Sequence, residues 1–293
     1  MRVNPIIVGA DGTDWSTAAV RWAAREAHRL HLPLRVTHVF DWEWREARYD
    51  MSQDYLDLPR CQAEAITAKA AYEARMIDRG LQIDDDLVVG NPAPRLLADS
   101  ENSRLIVLGS RGRGGFGSLL LGSVSQRVAT HAKCSVVVVR GRGDVTDGPV
   151  VAGVDDSPSA DLVLETAFDA ADRRGSTLRI VRSYLPPLPL WMASLQAVDV
   201  PTPVAEAEER ARLEEQLAPW RDKFPDVSVE LVLTHESVAS ALVNQSEQAQ
   251  LVMVGSRGRG VIAGALLGST GLQLLHHAEC PVYIVRPSAE GPN

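Results

Sequence analysis

Glycine, serine and arginine recur in this chain at a spacing suited to holding an anion. Gly109-Ser110-Arg111-Gly112 is followed by nine residues and then Gly122-Ser123, and Gly255-Ser256-Arg257-Gly258 by nine residues and then Gly268-Ser269. Glycine lets backbone N–H groups approach an anion closely, because no Cβ intervenes. Each Gly-Ser pair opens a helical stretch, and a helix N-terminus offers unpaired N–H donors and a partial positive charge. Ser123 and Ser269 can add hydroxyls, as N-caps or toward a phosphate oxygen. Arg111, Arg113, Arg257 and Arg259 could supply countercharge. This is not a Walker A loop, since no Lys follows its second glycine. It also lacks the G-x-G-x-x-G pattern placed directly after a first strand. A glycine-rich strand-to-helix connection is also common as a plain turn, so the loop alone leaves both readings open.

The carboxylates that could work with these loops are Asp11 and Asp155, with Asp14 and Asp156 close by. Each could meet a ribose hydroxyl or Mg2+. Asp14 and Ser157 are expected simply to cap the helices that follow them. No His, Cys or Ser stands in a recognisable nucleophile arrangement. His28, His31, His38, His131, His235, His276 and His277 show no metal-ligand spacing with the cysteines. His276-His277 lies near a helix end, where it suits the dipole. Cys134 and Cys280 fall at strand starts and read as core residues.

These residues must be positioned by a fold that occurs twice. The segment Arg104–Arg140 aligns with Gln250–Arg286 without a gap at an offset of 146 residues, placing Cys134 on Cys280. The openings Pro5-Ile-Ile-Val-Gly-Ala-Asp-Gly and Pro149-Val-Val-Ala-Gly-Val-Asp-Asp align at an offset of 144. A unit of this length is a whole domain rather than a solenoid repeat. The join, residues 141–148, is Gly-, Asp- and Thr-containing and reads as a short exposed linker. The domains are therefore 1–141 and 149–293.

In the first copy short apolar runs predict strands at 6–10, 33–40, 81–89, 104–108 and 135–140. Helical spacing or composition marks 17–30, 61–79, 92–102 and 123–132. The second copy places strands near 150–154, 177–183, 227–233, 250–254 and 281–286. The βαβα alternation predicts an α/β fold, a doubly wound parallel sheet covered on both faces. Ligands of such sheets bind beyond the carboxyl ends of the strands, where the winding reverses. Strand order is not legible at this level.

Composition narrows the class. The chain has 293 residues, a hydrophobic fraction of 45% and only 5% aromatics, so its cores are aliphatic. Its net charge of −8 disfavours non-specific nucleic-acid binding, despite the Arg-Gly sequences. Three cysteines make no disulfide framework. No apolar stretch approaches membrane-spanning length, and the N-terminal run is too short for a signal peptide. A cytoplasmic protein is expected. Pro186–Pro189 reads as a loop, and Trp42, Trp44 and Trp191 as sheet cover or a partner surface.

The pattern G-x-x-G, nine residues, G-[ST], after an apolar strand and before a helix and a last strand, resembles the universal stress protein family. So does the opening strand that ends in Asp. The resemblance covers nearly the whole chain as two tandem modules. It implies two tandem doubly wound five-stranded domains of order 3-2-1-4-5 that bind ATP, with or without Mg2+. The residues carried over in the first module are Asp11, Val39, Gly109, Arg111, Gly112, Gly122, Ser123 and Val124. In the second they are Asp155, Ser183, Gly255, Arg257, Gly258, Gly268, Ser269 and Thr270. Ser183 and Thr270 stand where the first module has Val39 and Val124, which implies a more polar second pocket. Family members pair their final strands between modules, so Ser135–Arg140 and Pro281–Arg286 are expected to pair within the chain and relate the modules by a pseudo-twofold. The implied role is a stress-response regulator or nucleotide sensor with little or slow hydrolysis, acting on a regulatory protein partner, with a homodimer allowed. A true ATPase or nucleotidyl-transferring enzyme, and an interaction scaffold with empty loops, are the alternatives.

Overall fold

A computed structural model of the chain describes residues 3–40, 57–112, 121–184, 203–258 and 266–287. Arg113, Arg259, Trp42, Trp44, Trp191 and Pro186–Pro189 lie outside the described residues. The chain divides into two compact units. One holds Met1–Val145 together with Pro281–Asn293, and the other holds Thr146–Cys280.

The first unit runs β1 (Ile6–Gly9), α1 (Asp14–Leu30), β2 (Leu34–Phe40), α2 (Asp57–Ile77), β3 (Ile83–Val89), α3 (Pro92–Asp99, extended by a 3-10 turn over Ser100–Asn102), β4 (Leu105–Gly109), α4 (Ser123–His131) and β5 (Ser135–Val139). These five strands are parallel in the order β3-β2-β1-β4-β5. The expected 3-2-1-4-5 order is present. The central strands β1, β4 and β5 are Ile/Val/Leu runs buried along nearly their whole length, as a sheet covered on both faces requires. The outermost β3 carries Asp84, Asp85 and Asp86 in succession, and charge on an edge discourages further pairing.

Helix α1 buries Ala19, Val20, Ala23, Ala24 and Ala27, and α2 buries Ala63, Ala70, Ala71 and Ala74. Such small faces let helices approach the sheet and each other closely. The cap of α1 is not Asp14 as expected. Thr13 holds extended backbone and its Oγ1 accepts from the Ser16 N–H at 3.2 Å, while Asp14 stands in the first turn, where its charge favours the dipole. His31 ends the helix in the left-handed region at φ 54. Helix α3 begins at Pro92, with Asn91 as its N-cap accepting from the Ala93 N–H at 3.3 Å.

The second unit runs β6 (Val150–Gly153), α5 (Ala160–Arg174), β7 (Leu178–Ser183), α6 (Pro203–Lys223), β8 (Val229–Thr234), α7 (Val238–Ser246), β9 (Leu251–Gly255) and α8 (Ser269–His277). Its strands are parallel in the order β8-β7-β6-β9. The expected cap at Ser157 is absent. Ser159 occupies the N-cap position without a side-chain cap bond, and the Ser157 hydroxyl instead bonds that of Ser159 at 2.9 Å. Ser157 stands two residues before the cap position.

The last strand of the second repeat, β10 (Val282–Val285), belongs to the first unit. It pairs antiparallel with β5, setting Val282, Tyr283 and Ile284 opposite Val138, Val137 and Val136. The edge that β5 would expose is thereby covered, as expected of the two final strands. Tyr283 is buried there, and loss of solvent pushes its phenol up to about 12.

Cys134 and Cys280 are buried at 1% and 0% exposure, while Cys61 on α2 is exposed. Burial also raises the Cys134 thiol above its ordinary value, so less of the reactive thiolate exists at neutral pH. Titration of the native protein with an aromatic disulfide reagent should give one fast equivalent, from Cys61. The three cysteines should all react after unfolding. Rapid native reaction of more than one would contradict this packing.

Candidate nucleotide site

In the first unit β1 lies between β2 and β4, so the winding reverses at its carboxyl end. The register pairs Ile6 with Leu105 and Val8 with Val107, which brings the end of β1 level with Gly109. Beyond β1 the chain turns through Gly12 at φ 82. Asp11 Oδ1 accepts from the Thr13 N–H at 3.0 Å and the Thr13 hydroxyl at 2.6 Å, which fixes the carboxylate. Its other oxygen faces the loop after β4. A Cβ on Gly112 would stand 2.8 Å from Asp11 Oδ2. A Cβ on Gly109 would stand 2.7 Å from the Trp15 carbonyl carbon and oxygen at the start of α1, where the backbone cannot yield.

The loop returns to the sheet at Gly122, whose N–H donates to Ser110 O at 2.8 Å. Gly122, not Ser123, is the N-cap of α4, with extended backbone at φ −74, ψ 146. A glycine cap offers no side-chain oxygen to the first amides of the helix, which leaves that role to other acceptors. Ser123 is the first helical residue and its side chain is exposed, with Val124 half-buried beside it. Val39, on β2, lies two residues beyond the Thr37–Gly9 pair and so runs level with Asp11. Arg111 stacks its guanidinium over the Trp15 ring, 5.2 Å from the centroid.

The second unit repeats this geometry with the same Gly-Ser-Arg-Gly loop. Asp155 Oδ1 accepts from the Ser157 N–H at 2.9 Å, and a Cβ on Gly258 would stand 2.8 Å from Asp155 Oδ2. Gly268 N–H donates to Ser256 O at 2.9 Å and caps α8 at φ −70, ψ 158. A Cβ on Gly255 would stand 3.0 Å from Arg257 O, and the Ser159 hydroxyl donates to that same carbonyl at 2.9 Å. Ser269 is exposed and Thr270 half-buried, like Ser123 and Val124. The hydroxyl of Ser183 donates to Glu236 O at 2.7 Å, so part of the polarity expected of this pocket is taken up by the backbone.

Apart from Arg113 and Arg259, the expected site residues fall within the described part, at the carboxyl ends of the strands of their own unit. Several neighbours were not expected. Ser125, in the first turn of α4, donates to Gly109 O at 2.6 Å and ties the helix to the end of β4. The second repeat has Gly271 at that place, so the comparison of repeats hides it. His38 is buried beneath the first site, its Nδ1 2.6 Å from Ala10 O. The corresponding Arg182 is 2% exposed and pairs with Asp156 and Glu209. It also donates to Gln216 Oε1 at 3.0 Å. Gln216 Nε2 in turn lies 3.5 Å from Asp155 O, so this network carries α6 to the carboxylate turn. Among the described residues no group of three or more His, Cys, Asp or Glu side chains is placed to hold a metal ion.

Removing the guanidinium would leave the largely buried Glu209 carboxylate with only the exposed Arg212, 3.5 Å away, as an ionic partner. Asp156 is about half exposed and loses less. Arg182→Met should therefore cost the second unit about 2–4 kcal/mol, read as a lower denaturant midpoint for probes in Thr146–Cys280. Adding Glu209→Leu to it should recover a good part of the loss.

The model of the universal stress protein family matches residues 2–140 and again 148–286. The chain is 35% identical over 294 residues to universal stress protein Rv2005c of Mycobacterium tuberculosis (strain H37Rv), covering 97% of each protein. It is 33% identical over 299 residues to universal stress protein Rv1996 of the same organism, covering 96% of this chain and 94% of that one. The fold matches the crystal structure of a universal stress protein from Archaeoglobus fulgidus DSM 4304 with a TM-score of 0.71 at 21% identity, covering 97% of each chain. Two matches of the family model and full-length relatives place this chain in the universal stress protein family, as a protein of two tandem family domains.

Proposed function

We propose that each repeat, 1–141 and 149–293, binds one ATP at its glycine loop, and that the protein acts as a nucleotide-dependent stress-response regulator. The observation that carries this reading is the matched cradle. In two sequences that differ at most other positions, a Cβ at Gly112 or Gly258 would stand 2.8 Å from an aspartate oxygen. The same dimension kept twice marks a shape with a use. The phosphates lie at the starts of α4 and α8, met by backbone N–H groups, by Ser123 and Ser269, and by Gly109, Gly112, Gly122 and their counterparts Gly255, Gly258, Gly268. Arg111 and Arg257 supply charge. Asp11 and Asp155 face a ribose hydroxyl or a Mg2+ carried by the phosphates. Val39 and Ser183 border the base, with Val124 and Thr270 completing each wall.

Hydrolysis is slow in this reading. The output is therefore binding: occupancy changes what a regulatory protein partner meets, in the cytoplasm, with a homodimer as a further level of assembly. No helix among the described residues is long and apolar enough to cross a membrane.

The test is the nucleotide content of protein purified without added nucleotide, released by denaturation and measured by chromatography with mass detection. About two ATP per chain are expected, one per loop. Gly112→Val and Gly258→Val should each remove one, and the double variant both. ATP absent from the native protein and not bound when added would overturn the proposal in favour of a scaffold. Rapid phosphate release abolished by Asp11→Ala with Asp155→Ala would make it an enzyme instead.

A further inference from the structure

The first unit contains a residue from the far end of the chain that holds the helix of its phosphate loop. Arg286 follows β10 and is 8% exposed. Its Nη2 donates to Ala129 O at 2.5 Å and to Thr130 O at 3.1 Å, two of the last carbonyls of α4. Its backbone is fixed as well. The Arg286 N–H donates to Ser135 Oγ at 3.0 Å, and that hydroxyl donates back to Arg286 O at 3.3 Å. The guanidinium therefore sits at a helix C-terminus, satisfying carbonyls that have no partner within the helix and opposing the negative end of the dipole.

The opposite end of α4 is the candidate phosphate site. The helix has nine residues, about two and a half turns. Helix formation is cooperative, so in a helix this short an anchor on the last turn also steadies the first. Its first turn is tied to β4 by Ser125 and Gly122, and its last turn by Arg286. We infer that Arg286 is a positioning residue for the first nucleotide site, so that the second repeat controls affinity at a loop it does not contain. This rests on the proposed nucleotide binding.

The test measures ATP dissociation constants by calorimetry on the full chain in two backgrounds. Gly258→Val leaves the first site alone, and Gly112→Val leaves the second alone. In the first background Arg286→Ala should raise Kd roughly three- to tenfold, the size expected for losing a charged helix cap. Arg286→Lys, which keeps the charge but not the two-carbonyl fork, should fall between. In the second background neither substitution should move Kd. Hydrogen exchange at the α4 amides should quicken in step with Kd. Equal weakening at both sites would mean a general loss of stability and would overturn the inference, as would unchanged Kd at the first site. If Arg286→Ala does not fold, Arg286→Lys alone decides, by whether its effect is confined to the first site. Absence of ATP binding by the unsubstituted protein would instead sink the nucleotide reading, and the coupling with it.

Discussion

Much of this architecture depends on the space between an aspartate oxygen and the glycine that faces it. At 2.8 Å from Asp11 Oδ2 or Asp155 Oδ2 there is no room for a methyl group. With any larger residue there, the loop after the fourth strand of each repeat would have to push the aspartate carboxylate aside. That closeness in turn needs the first and fourth strands to be neighbours in register, as in the Ile6–Leu105 and Val150–Leu251 pairs. Parallel neighbours that are not consecutive require crossovers on both faces, and hence the buried Val- and Ile-rich strands and the alanine-faced helices. The local contact and the global topology are two statements of one constraint.

The two units meet this constraint with different support. In the first, the imidazole of His38 reaches the Ala10 carbonyl. In the second, a buried guanidinium at Arg182 gathers carboxylates from the turn and from α6. Around the loop, Ser125 ties helix to strand in the first unit, whereas Ser159 ties the neighbouring helix start to the loop in the second. Duplication has preserved the cradle and let the scaffolding beneath it diverge.

The cradle and the fold were largely legible in the amino-acid sequence because both are written in short, local patterns. Apolar runs marked every strand to within about two residues, and the gapless match around Gly109 and Gly255 displayed the loop twice. Strand order came through family resemblance, since apolar runs carry no record of their neighbours. The caps of α1 and α5 were misassigned because a string of Asp, Ser and Thr offers several candidates one residue apart, and backbone conformation selects among them. Arg182 read as a strand residue, because its partners lie on a turn and on a helix 26 to 34 residues distant. Ser125 was invisible to comparison of the repeats, since its counterpart is glycine.

The membership of β10 in the first unit has a consequence for biosynthesis. Thr146–Cys280 is a continuous stretch of chain. The first unit, although made first, is completed only when Pro281 and the residues after it arrive. Until then the valine-rich β5 stands as an unpaired edge, the kind of surface that recruits strands from other chains. A nascent chain halted before residue 281 therefore carries the β5 edge without the strand that covers it in the finished protein.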